Sequence, residues 1–105
     1  MRKDKQIAQL KIANRDYSVR ATTHALERME ERQVDEEVIT ADILALGKDR
    51  IKELQEANEE AAIIDEDNNI TLIVGFKKNT MKIITVIDKT NIWTKKGTKV
   101  EKLYK

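Results

Sequence analysis

At 105 residues the chain has the length of one ordinary domain, and its 40% of hydrophobic residues, mostly Ile, Val, Leu and Ala, supply one modest core. It has no cysteine, which excludes disulfides and thiolate metal sites. No stretch approaches the roughly 18 apolar residues of a membrane helix, and the charged start Met1–Lys5 has no apolar run behind it, so a reducing, cytoplasmic location is expected. The net charge of +1 hides a segregation: residues 1–20 carry six cations and two anions, 21–76 five and fifteen, and 77–105 nine and two. If the two basic ends meet in the fold they form one positive face suited to a phosphate backbone. Otherwise they neutralise the acidic middle.

In chain order, Lys3 to Asn14 is read as a helix on Ile7, Leu10 and Ala13, although Ala8, Leu10 and Ile12 also alternate as in a strand. Tyr17 to Ala21 reads as a short strand. Thr22 or Thr23 can cap a helix reaching about Gln33. Asp35 can cap a second helix, with Glu36 and Glu37 at its positive end, Val34 and Ile39 as staple and Gly47 as stop. Its buried stripe is Ile39, Ile43 and Leu46. Residues 48–60 are open between a helix carrying Ile51 and Leu54 and an edge strand with a turn.

Beyond residue 60 the period changes to two. Residues 61–65 form one strand, 67–69 a turn and 70–77 a second strand with Ile70, Leu72, Val74 and Phe76 on one face. A short connection at 78–80 leads to a third strand, 81–88, apolar on both faces and therefore central. From Asn91 onward the chain is a lysine-rich tail around Trp93. The expected fold is α+β, with two to three N-terminal helices packed on an antiparallel meander of three to four strands. The chain reads as one domain, with 1–16 an N-terminal helix or arm, 17–88 the core and 89–105 a basic C-terminal tail.

The chemically informative stretch is Thr23–Arg32. On a helix His24, Arg28 and Arg32 recur every four residues, a stripe drifting about 40° per step along the margin between core and water. A neutral imidazole there can take a proton from a ribose 2′-OH, and arginines can stabilise charge growing on a phosphate. The same residues can equally serve as packing and as pairs with Glu31 and Glu36.

The pattern Thr/Ser-x-His-Ala-x-x-Arg-Met-x-x-Arg in Thr22–Arg32, the capped helix Val34–Gly47 and the Ile83–Ile87 strand with its Thr85 resemble a family of small bacterial and phage domains of unknown function. That family is similar to the barnase–EndoU–colicin–RelE group of metal-independent RNases, several of them toxins. The resemblance covers about two-thirds of the chain and implies a site of His24, Arg28, Arg32 and Thr85, with Thr85 across a cleft from the stripe. The chain departs from the pattern at Gln33, where the family has glycine.

No other motif offers competing chemistry. One histidine does not make a zinc site without several carboxylates, and Asp65–Asp67 lacks the glycine and terminal glutamate of a calcium loop. No metal or cofactor is therefore expected. Trp93 with Lys95 and Lys96 can stack on and hold single-stranded nucleic acid, or plug the core with a lysine rim. The expected function is metal-independent RNA cleavage by 2′-OH attack. Its alternative is a non-catalytic phage or bacterial accessory module that binds a host protein or nucleic acid. RNA and a cognate protein partner or inhibitor are the expected partners, with no membrane association.

Overall fold

The protein is described by a computed structural model covering residues 4–12, 14–57, 60–90, 92 and 98–103. Nine elements follow in chain order: β1 Lys5–Ile12, β2 Arg15–Ala21, α1 Thr23–Glu31, α2 Glu36–Leu46, α3 Lys48–Ala57, β3 Ala61–Asp65, β4 Ile70–Lys77, β5 Thr80–Ile87 and β6 Lys99–Lys102. The strands form one mixed sheet in the order β1-β2-β5-β4-β3-β6. This overturns the expected N-terminal helices on an antiparallel meander, because two strands precede the helices and two of the pairings, β2 with β5 and β3 with β6, are parallel.

The misreading began at residues 5–12, which satisfy both periods. The strand wins because β2 offers a backbone ladder from Lys5 opposite Ala21 to Ile12 opposite Arg15. Ile12 is buried, and Ala8 and Leu10 pack on the core. A helix there would bury the same apolar groups without satisfying the outer edge of β2.

Residues 48–57, open between helix and strand in the sequence, are helical and bury Ile51 and Leu54. Gly47 makes the corner between α2 and α3 at φ +93°, a conformation that side chains disfavour. Arg50 of α3 donates from Nε to Glu101 Oε1 at 2.6 Å and pairs through Nη1 with Glu53 at 2.6 Å. Hydrogen bonds to Glu101 and then to Glu53 hold its guanidinium above the ordinary arginine range. The Arg50–Glu101 pair ties the edge strand β6 to the helical layer.

All three helices lie on one face of the sheet. Ala25, Met29, Ile39, Ile43, Ile51 and Leu54 meet Val19, Ile63, Leu72, Val74, Ile83 and Val86 in a single core. Along β5 the usual alternation breaks. Ile83 pairs with Val74 and Thr85 with Ile73, which leaves Ile84 as an extra, bulged residue. Ile83 and Val86 can therefore both face the helices although they stand three apart. Gly75 makes room for the bulge, since a Cβ there would come within 3.2 Å of Ile84 Cδ1.

The end of α1 has a physical reason of its own. The Val34 amide donates to the Met29 carbonyl at 2.8 Å and the Gln33 amide to the Glu30 carbonyl at 3.3 Å, the paired bonds of a Schellman stop. Gln33 accordingly sits at φ +54°. This left-handed position is where the resembled family carries glycine. A non-glycine residue there costs about 1–2 kcal/mol, partly offset by the 0.5–1 kcal/mol entropy penalty of glycine. Gln33→Gly is thus expected to stabilise the protein by about 0.5–1 kcal/mol, seen as a higher urea midpoint with an unchanged slope.

Candidate functional site

β2 ends at Ala21, whose partner on β5 is Ile83, so beyond Ile83 β5 has no strand on that side. α1 occupies the vacant edge. Thr22 joins the two elements through both of its hydroxyl functions. Its Oγ1 accepts from the Ala25 amide at 3.1 Å, capping α1, and donates to the Ile84 carbonyl at 2.9 Å. Its own amide donates to the Ile83 carbonyl at 3.1 Å. At the other end of α1, the Arg32 guanidinium donates to the Val86 carbonyl and lies 3.3 Å, through Nε, from Asp88 Oδ1. The carbonyls that a neighbouring strand would have taken are satisfied by a helix cap and an arginine.

The motif residues consequently separate into two groups. Ala25 and Met29 are buried, and Thr22 and Arg32 hold the helix to β5. His24 and Arg28 lie one turn apart on the outward flank. His24 is exposed, and among the described residues its ring makes no hydrogen bond or ion pair. Arg28, partly exposed, pairs with the exposed Glu31 at 2.6 Å. An exposed pair of this kind is worth about 0–1 kcal/mol and exchanges readily with other anions.

Thr85 lies on β5 between Ile84 and Val86, the two residues whose carbonyls α1 holds. Its cross-strand partner is the half-buried Ile73, whereas Val86 faces the fully buried Leu72. The Thr85 side chain is therefore on the sheet face away from the helical core. So β5 brings Thr85 beside α1 in the chain while aiming its hydroxyl at the face away from the helices, the face on which Ala62 and Thr71 are fully buried. Trp93, Lys95 and Lys96 lie outside the described residues.

The Arg32–Asp88 pair also borders a cleft of about 340 Å³, bounded by Gln33 and Val34 on one side and by Asn68 and Asn69 of the β3–β4 turn on the other. Nothing local marked this cleft in the sequence beyond the Asn-rich turn. Asp65 shapes that turn by accepting from the Asn68 amide at 3.2 Å and from Asn68 Nδ2 at 2.7 Å. Among the described residues no helix is long and apolar enough to cross a membrane. No protein-family model matches the chain, and neither a curated protein nor a solved structure matches it.

Proposed function

We propose that the chain is a metal-independent RNA-cleaving domain in which His24 takes the proton of a ribose 2′-OH and Arg28 contacts the scissile phosphate. The 2′-oxygen attacks phosphorus and the bond to the 5′-oxygen breaks. A 2′,3′-cyclic phosphate and a 5′-hydroxyl result, the latter taking its proton from solvent. One observation carries this reading. Of the polar residues in the α1 motif, Thr22 and Arg32 are occupied in holding α1 to β5, while His24 stands outward and, among the described residues, its ring has no partner, beside an arginine that pairs with the exposed Glu31. Arg32 is then a positioning residue that keeps α1 against β5. Thr85 has no part in this step, because its side chain lies on the sheet face away from α1 and not across a cleft from the stripe as expected.

A second reading is favoured by the pairing of the cations. Arg28 with Glu31 and Arg32 with Asp88 leave less free charge for a transition state than an open phosphate clamp would have. Such a chain would be an accessory module that grips a host protein or nucleic acid without chemistry. Incubating wild type and His24→Ala with total RNA in EDTA separates the two. Cleavage by wild type that is lost in the variant supports the catalytic reading. RNA left intact at high protein and long incubation rejects it in favour of the binding module.

A further inference from the structure

Charge divides between the two layers of the fold. The three helices hold nine acidic residues against four basic ones. The six strands hold eight basic residues against three acidic ones. The basic ends of the sequence are brought into one sheet, because β1 and β2 dock beside β5 at its centre.

The register assigns many of these charges to the face that carries no helix. Val19 opposite Met81 and Ala21 opposite Ile83 point into the core, so Ser18 opposite Thr80 and Arg20 opposite Lys82 point the other way. By the same alternation Lys11 of β1, opposite Asp16, and Lys77 of β4, opposite Thr80, share that outer face. Four cations thus stand on four adjacent strands, across about 14 Å at the usual spacing of about 4.8 Å. Two carboxylates accompany them, Asp16 and Asp4. Asp4 lies 3.9 Å from Lys82 Nζ, and its backbone carbonyl accepts from Arg20 Nη2 at 3.1 Å. The cations remain in excess, and the hydroxyls of Ser18 and Thr80 lie between them.

We infer that this β1-β2-β5-β4 corner of the helix-free sheet face is a track for the phosphate backbone of single-stranded RNA. With the RNA-cleaving reading as its premise, the track also supplies that site. Arg20 precedes His24 by four residues, at most about 14 Å of chain, so a strand lying over Arg20 and Lys82 is delivered toward the start of α1. Charge complementarity names the occupant as a polyanion. Arginine and lysine interleaved with hydroxyl donors suit discrete phosphates.

The test uses a 2′-O-methyl oligouridylate, which has no free 2′-OH and so reports binding without cleavage. With about four phosphates contacted, log Kd against log salt has a slope of about 3 in magnitude for a single strand. The double variant Arg20→Gln/Lys82→Gln weakens binding on the order of tenfold or more at about 0.1 M salt and lowers that slope by about 1.4. Lys11→Gln, on an exposed edge-strand position, weakens it by a smaller step, and Lys48→Gln on α3 leaves it unchanged. Melting curves of all variants establish that they fold; if the double variant does not, Lys11→Gln and Lys77→Gln carry the comparison. Binding unchanged to within twofold in the sheet variants, a salt slope near zero, or preference for phosphatidylserine vesicles over the oligonucleotide overturns the track. RNA cleavage that persists with unchanged binding in the sheet variants removes the track and leaves His24 chemistry standing. Sheet-dependent binding without any cleavage does the reverse.

Discussion

Replacing His24 with alanine is expected to lower RNA cleavage on the order of 10²-fold or more, the usual share of a general acid–base group. The loss should appear at saturating RNA, since the side chain is asked to move a proton rather than to hold substrate. EDTA should leave both enzymes unchanged, because 2′-OH attack assisted by an imidazole requires no metal. Thermal stability should stay within about 0.5 kcal/mol of wild type, because the ring is exposed and makes no hydrogen bond among the described residues. A destabilised His24→Ala would mean that the lost activity reports folding. Cleavage that persists unchanged in the variant would keep the RNase reading and remove His24 as its base. Wild type should also slow bacterial growth when expressed, and His24→Ala should not.

Arg32→Ala and Arg28→Ala should behave as opposites, although the two stand one turn apart on the same helix. Arg32 is three-quarters buried, its side chain 25% exposed, and it satisfies the carbonyl of the buried Val86. Truncating it removes a hydrogen bond from a charged donor, worth about 1.5–3 kcal/mol. It also strands an acceptor at the vacant edge of β5. For a domain of this size each kcal/mol lowers Tm by about 4–8 °C. Among the described residues the Arg28 side chain, 37% exposed, pairs with the exposed Glu31 alone, so its truncation should move Tm hardly at all. In a cleavage assay the order changes character. Arg28→Ala should lose rate on the order of 10²-fold at unchanged stability, as for one transition-state donor. Arg32→Ala should lose rate in step with the detachment of α1 from β5, and low temperature should restore part of it. Equal melting temperatures for the two variants would contradict the positioning role of Arg32.

Several parts of the architecture were legible in the sequence because their determinants are local. Thr22 caps α1 through a bond three residues away and Gly47 stops α2; Asp35 stands at the N-cap position of α2 but, unlike Thr22, makes no capping bond with its side chain. The strands expected from alternation and short turns at 61–65, 70–77 and 81–88 are found at 61–65, 70–77 and 80–87. The Thr22–Arg32 pattern also located α1 and its outward His24. By themselves those residues determined helix ends, strand periods and a list of polar side chains on one helix margin.

Tertiary structure decided the rest, because the deciding contacts join residues far apart in the chain. Residues 5–12 carry both helical and alternating spacing, and only the ladder offered by β2 makes them a strand. The parallel pairing of β2 with β5 bridges about sixty residues and leaves no trace in either period. The bulge at Ile84 sets which face Thr85 takes, and it shows only in the register with β4. Arg28 and Arg32 are equivalent in spacing. Only the unfilled edge of β5 turns Arg32 inward to the Val86 carbonyl, while Arg28 pairs with Glu31 at the surface. The basic ends could likewise be counted in the sequence, but Lys11, Arg20, Lys82 and Lys77 share one sheet face only because β1, β2, β5 and β4 lie side by side.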